Sequence, residues 1–494
     1  MGSEVQCILT DAKGGGVFMV RTMAWAYALV IGGLFGDLAA NGQTLPNQFP
    51  FPNRSGLLET YNATGKPIDL RGPFFQSLGT NGRSCGSCHR PAQGWSISAE
   101  ELKVRFETTL GLDPIFRTND GSNCDHNIET STVQGRRKAY ILLINKGLIR
   151  IALPVPDNAE FSVVGVVNPY GCDDPSTLSM YRRPLPATNL RFLSAVMWDG
   201  RESSPQTGSQ KITFATNPAD LVADLEHQAL DAVSGHAQAS MPLSPQQQQA
   251  IAEFEMALST AQAIDYGAGA LDTGSATGGP STLALETTSA FFVGINDALG
   301  GNPLGTAFTP VIFDLFDPWR NSNTDGGDHR REASNRRASI VRGQALFNSK
   351  PINITGVAGL NDDLNLAAIP GTCGTCHDSP NVGNHSLAVA LNIGVGDVNS
   401  PLDVSYLPVF TLQNKTTYEI KATTDPGRAL ITGLWKDVGK VKGPILRGLA
   451  ARAPYFHNGS AASLNDVLNF YDKRFNLGLT AQEREDLIAF LNAL

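Results

Sequence analysis

At 494 residues, with 41% apolar and 17% charged side chains, the chain is long enough for two or more buried cores and falls outside the disordered class. A formal net charge of −8 at pH 7 argues against a nucleic-acid partner, and an acidic surface suits a small basic protein instead.

In chain order, an apolar run from Met23 to Phe35 follows Arg21 and ends among small residues at Ala39 to Gly42, the pattern of a secretory signal peptide over residues 1–42. The run is short and Gly-rich for a membrane span; an uncleaved anchor is the alternative. Thr44 to Phe75, rich in Pro, Asn and Gly, reads as an extended lead-in with one short helical piece. The polar turn Gly79 to Ser84 then presents Cys85-Gly86-Ser87-Cys88-His89. Residues 99–185 read as a short helix among long irregular connections. After Leu193 to Glu202, a helix is expected from Asp220 through His227, and another over 243–265, opening at Ser244-Pro245. Gly267 to Ser281 reads as a flexible loop and 300–335 as a connection between domains. A helix beginning near Ser339 precedes Cys373-Gly374-Thr375-Cys376-His377. Ser463 with Asp466 opens a helix whose Leu464, Val467, Leu468 and Tyr471 share one face, and Thr480 with Glu483 forms a capping box for the last helix. Little of the chain alternates as strands do, so the expected class is mainly α.

The Cys-x-x-Cys-His pattern occurs twice. Two thiols three positions apart reach the vinyl edge of one porphyrin, and the next residue offers its imidazole to the iron. The pattern therefore points to two covalently bound c-type haems, attached at Cys85, Cys88, Cys373 and Cys376, with His89 and His377 as proximal ligands. Structural zinc and a redox dithiol are the competing uses of a bare Cys-x-x-Cys. The adjacent His in both runs and the export signal favour haem. Past the signal, Cys124 and Cys172 are left over, and in an oxidising compartment they are expected to pair as a disulfide.

The stretch Gly443 to Gly459, with Leu464 and Phe470-Tyr471 after it, follows the second motif. Trp198-Asp199-Gly200-Arg201, with Asn217-Pro218 and Asp220, follows the first. Both resemble signatures of the bacterial di-haem cytochrome c peroxidase and MauG superfamily. The resemblance covers the cores of both halves and leaves 105–180 and 230–335 unaccounted for. It implies two cytochrome-c-like haem domains with long irregular insertions, over 43–265 and 336–494, joined by a flexible insertion, 266–335. The first haem would react with hydrogen peroxide in the periplasm. The second would pass on electrons from a small donor protein, a cytochrome c or a cupredoxin, or from a protein substrate.

The same resemblance implies that Trp198 relays electrons between the haems and that Asp220 moves a proton at the peroxide site, where the family more often has Glu. Core packing and helix capping are the plainer roles of these two residues. Arg105 stands sixteen residues after His89, where many of the peroxidases place a ligating His, which implies a first haem open in the oxidised state. No Met follows the second motif, so the sixth ligand there has three candidates. Tyr471 stands where MauG-type members have Tyr; His457 matches the second His of the related rubber oxygenases; His385 is the third. A calcium ion between the domains would use the carbonyls of Arg452 and Pro454, but the Asn expected upstream of Trp198 has no counterpart near Arg183 and Pro184. The competing readings are a non-catalytic di-haem electron-transfer cytochrome and a rubber-oxygenase-like dioxygenase. The oligomeric state is not legible.

Overall fold

The computed structural model describes residues 43–203, 218–286, 291–321, 328–387 and 389–494. The signal segment 1–42 and Asn217 lie outside the described residues. None of the described helices is long and apolar enough to cross a membrane.

The chain is not mainly α: it is 31% helical and 16% strand, and among the described residues the strands are spread over five small sheets. The expectation fails most plainly at 243–265. A helix does form over Pro245–Met256, where Ser244 Oγ accepts from the Gln247 N–H, but the chain turns at Ala257 and continues as the strand Leu258–Asp265. That strand lies between Gly56–Asn62, to which it runs antiparallel with Thr60 opposite Thr260, and Gly269–Ala270, while Phe51–Pro52 pairs with the far side of Gly56–Asn62. Ser259, Thr260 and Ala261 are small enough to be buried in this sheet. Their pairing partner is 200 residues distant, which local periodicity does not carry.

The segment 105–180 supplies three further strands. Ile149–Pro154 pairs with Thr177–Arg182, and Phe161–Val167 joins Val409–Asn414 and Ile420–Thr423 from the far half of the chain. Cys124 and Cys172 form the expected disulfide, tying the stretch before these strands to the loop between the last two.

The described part of 266–335 is packed, not loose. Ala268, Leu271, Phe313, Phe316 and Trp319 share one core with Ile340, Phe347, Leu487 and Phe490. The helix Asp328–Ser349 lies so close to the helix Ala481–Asn492 that a Cβ at Gly343 would fall 2.0 Å from Asp486 O. Both C-terminal caps form as read: Ser463 Oγ accepts from Asp466 N ahead of Leu464–Phe475, and Thr480 Oγ1 accepts from Glu483 N.

Candidate functional site

Both Cys-x-x-Cys-His runs fold alike. Cys85–Ser87 and Cys373–Thr375 each close one tight 3-10 turn. The N–H ahead of each turn donates to a hydroxyl three positions on, Ser84 N to Ser87 Oγ at 3.0 Å and Thr372 N to Thr375 Oγ1 at 2.9 Å. Gly follows the first thiol in both because nothing larger fits: a Cβ at Gly86 would lie 2.8 Å from Phe75 Cδ1, and one at Gly374 2.4 Å from Ile312 Cγ1.

The two motif histidines are held by the same device. His89 Nδ1 meets Trp95 O at 2.9 Å, and His377 Nδ1 meets Gly383 O at 3.0 Å, each carbonyl six residues onward. A carbonyl only accepts, so Nδ1 carries the proton and the Nε2 lone pair is left for a metal. Burial lowers both imidazoles, His377 to about 4, which keeps them in the neutral, ligating form. The first clamp is anchored in the four-stranded sheet: Trp95 Nε1 donates to Thr60 Oγ1 at 2.8 Å, and Thr60 Oγ1 lies 2.9 Å from Thr260 Oγ1.

Each motif opens on its own cavity. The first is walled by Cys85, Cys88 and His89, by Leu225, Gln228 and Ala232 of the helix Pro218–Gly235, and by Ile251 and Glu255 of Pro245–Met256. The second is walled by Cys373, Cys376, His377, His385, His457 and Tyr471, with Leu464, Val467 and Leu468. Zinc is a poor fit to either donor set. The four thiols are unbonded, and burial pushes Cys85, Cys373 and Cys376 up to about 12. Among the described residues, the groupings of three or more potential ligands for a metal ion lie elsewhere. Two thiols and a neutral imidazole facing one largely apolar cavity fit a c-type haem.

Trp198 lines both cavities. Its Nε1 donates to Arg183 O at 2.7 Å, and its ring meets the His457 ring edge-on with centroids 6.0 Å apart. His457 Nε2 is buried without a hydrogen-bond partner; its nearest carboxylate oxygen, Asp425 Oδ2, is 3.9 Å away. Burial pushes this imidazole down to about 4, which holds the ring neutral beside the second cavity. Behind it, Arg182 grips Asp425 through Nε at 2.7 Å and Nη2 at 2.8 Å and also pairs with Asp199.

The other two candidates for the sixth ligand are placed differently. Tyr471 lines the second cavity together with Cys373 and Cys376; burial raises its hydroxyl, and the two thiols raise it further. His385 lies beside His377 and the Cys376 backbone, with both ring nitrogens unpartnered and Nδ1 3.7 Å from Asp378 Oδ2.

Arg105 turns away from the first cavity. Its Nη1 donates to Ser87 O at 2.8 Å and its Nε to Asp113 Oδ2 at 3.0 Å, bracing the motif from outside. Asp220 occupies the first turn of Pro218–Gly235, half-buried, and is not among the residues lining the first cavity. Of the oxygens considered for calcium, Arg452 O already accepts from Arg183 Nη2 at 2.9 Å.

Further charged residues stand on these walls. Glu255 falls within the helix expected over 243–265, yet it is 6% exposed, its Oε2 has no partner, and burial pushes it up to about 8. His236 faces the first cavity with its Nδ1 on Asp120, which also pairs with Arg83. Lys442 faces both cavities. A charge next to the Gly443-Pro444 signature was the available signal for Lys442. For Glu255 there was none.

The family model described as RoxA-like, cytochrome c-like matches residues 441–477, the stretch that carries Lys442, His457 and Tyr471. The cytochrome-c peroxidase IdrP1 of Pseudomonas sp. (strain SCT) is 31% identical over 176 residues, 32% of this chain and 40% of that protein. The cytochrome-c peroxidase IdrP2 of Denitromonas iodatirespirans is 33% identical over 135 residues, 25% of this chain and 36% of that protein. The chain thus spans about 40% or less of the length of the curated relatives it matches. A solved MauG-like protein associated with microbial copper homeostasis aligns over 86% of this chain and 87% of its own, at 15% identity and a TM-score of 0.34, too loose a likeness to carry an argument. With two like-folded Cys-x-x-Cys-His sites, the chain is similar to bacterial cytochrome-c peroxidases over 32% of its length or less.

Proposed function

We propose that this chain is a periplasmic di-haem oxidoreductase that reduces hydrogen peroxide at the first site with electrons entering through the second. The observation that carries this reading is the shared wall. Peroxide reduction to water takes two electrons, and among the described residues Trp198 is the aromatic side chain lining both cavities, packed on His457. In this reading Cys85, Cys88 and His89 hold one haem in the domain 43–265, and Cys373, Cys376 and His377 hold the other in 336–494. When bound, such a haem supplies an iron that exchanges single electrons and accepts peroxide where one axial position is left open.

The remaining chemistry falls to the chain's own groups. Trp95 O and Gly383 O orient the two proximal imidazoles. His457 Nε2 is best suited to close the second site, leaving that haem to electron transfer. The segment 90–125 brings no ring nitrogen or thioether to the first cavity, and Arg105 is turned away from it, which supports an open position on that side; His236 and Met197 line the cavity from elsewhere. Glu255 Oε2, held protonated by burial, is the proton-holding atom of the first cavity; Asp220 stands off that wall. The donor would be a small cytochrome c, a cupredoxin or a protein substrate.

The test is steady-state peroxide reduction by the haem-loaded protein with a reduced small cytochrome as donor. Trp198→Phe is expected to lower kcat at least tenfold with haem content and peroxide binding unchanged. Unaltered turnover in that variant would remove the relay, and no peroxide consumption by wild type in any oxidation state would favour the electron-transfer cytochrome.

A further inference from the structure

Among the described residues, two groups of ligand-type side chains lie outside the Cys-x-x-Cys-His sites. One is closed by the disulfide between Cys124 and Cys172; the other joins Glu202, His227 and Asp231 from two separate elements. Glu202 follows the Trp198 to Arg201 signature, whereas His227 and Asp231 stand four positions apart on the helix Pro218–Gly235 and so share one face of it. A ring nitrogen of His227 and one oxygen from each acid all lie within 4.8 Å of one another, and His227 Nδ1 meets Glu202 Oε2 at 2.6 Å. The Glu202 side chain is 4% exposed and that of His227 41%, with Asp231 exposed, so the group has a buried floor and an open side. Charge is out of balance there. Burial pulls the imidazole down, but Glu202, Asp231 and Asp224 together outweigh it and raise it. Arg201 Nε stands 3.8 Å from Glu202 Oε1 and is shared with Asp199, which its Nη1 meets at 3.0 Å. One imidazole thus faces three carboxylates, of which Glu202 and Asp224 are 3% and 0% exposed. A buried excess of negative charge is costly, and a divalent cation among these oxygens removes it.

We propose that Glu202, His227 and Asp231 form a binding site for a divalent transition-metal cation of the zinc type, which ties the stretch bearing Trp198 to the helix that walls the first cavity. One imidazole nitrogen with two carboxylate oxygens suits zinc, whereas calcium takes six or more oxygens and softer ions take sulfur. Ligand atoms around a tetrahedral zinc stand about 3.3 Å apart at bonds of about 2.0–2.1 Å, and the exposed Asp231 side chain closes the remaining gap by turning about its own bonds. The ion takes the place of the proton between His227 and Glu202, which leaves to solvent, and water on the open side completes the coordination. At about 100° per residue, His227 and Asp231 lie about a quarter-turn round the helix from Leu225, Gln228 and Ala232, which line the first cavity. The site is therefore outside that cavity, and it is independent of how many haems the chain carries.

The experiment is equilibrium dialysis of the chelator-stripped, haem-loaded protein against Zn²⁺, with bound zinc and iron counted by elemental mass spectrometry. Wild type is expected to hold one zinc that His227→Gln and Asp231→Asn each weaken at least about tenfold, with iron content unchanged. Asp231→Asn alters an exposed side chain, so it keeps the test open if His227→Gln does not fold. Crystals of the zinc-treated wild type give a second reading by anomalous scattering at the zinc edge. A peak bonded to Glu202, His227 and Asp231 supports the proposal. Absence of retained zinc in wild type, undiminished affinity in Asp231→Asn, or a peak confined to other side chains overturns it.

Discussion

Replacing Arg182 by Met isolates the network that holds the second site against the first. Arg182, Asp199 and Asp425 have side chains 3%, 0% and 4% exposed, and Arg182 bridges the two acids. Removing the guanidinium leaves Asp199 its pair with Arg201 at 3.0 Å. Asp425 keeps only the Gly427 N–H at 2.8 Å and a distant His457. Breaking a buried pair from one side costs about 3–5 kcal/mol, because a charge remains without compensation. Burial pushes the Asp425 carboxyl up, but Arg182 outweighs it and holds the group below its ordinary 3.8. A carboxyl held low in the folded protein stabilises it above the unfolded pKa, and that contribution is lost as pH falls through the folded value. The Arg182→Met penalty is therefore full at pH 7 and shrinks below pH 4. Denaturant unfolding of the haem-loaded proteins at pH 7 and at a pH well below 4 measures it. A loss under about 0.5 kcal/mol at pH 7, or a penalty that grows as pH falls, would refute the reasoning.

In His457→Gly, the low-spin ferric EPR signal of the second haem is expected to give way to a high-spin one, while Tyr471→Phe leaves it in place; the reverse pattern would assign the ligand to Tyr471. Glu255, buried and pushed up from 4.5 to about 8, binds a proton in the folded chain that the unfolded chain releases, so stability should fall as pH rises between those values. Glu255→Gln is expected to flatten that slope in chemical-unfolding series at several pH values. For the disulfide between Cys124 and Cys172, 48 residues apart, the chain-entropy relation gives a loss of about 4 kcal/mol on replacing both by Ser. Alkylation of the unfolded, non-reduced protein should find neither thiol.

The parts legible in the sequence are those whose chemistry is local. Two thiols and an imidazole within five residues announce their use, and a hydroxyl three positions before an acid marks a helix start at Ser463 and Thr480. Leu258–Asp265 was misread because its small residues suit a helix as well as a buried strand, and its partner Gly56–Asn62 is far away in the chain. The apolar residues of 268–319 lie among Gly, Ser and Pro without period, so nothing local showed that they complete the core around Phe347 and Phe490. The site divides in the same way. Trp198 was found through its signature, whereas Glu255 and Lys442 owe their places to burial that only the assembled walls create. Asp220 matches its signature in sequence but stands off the first cavity, since the helix it opens turns Leu225, Gln228 and Ala232 to that wall instead.

The most direct test of the account is a visible and EPR titration of the fully oxidised, haem-loaded protein with one equivalent of hydrogen peroxide. An open first site predicts a high-spin ferric signal that disappears stoichiometrically on addition, with the second haem low-spin at the outset. Two low-spin haems, both indifferent to peroxide before and after reduction, would contradict it.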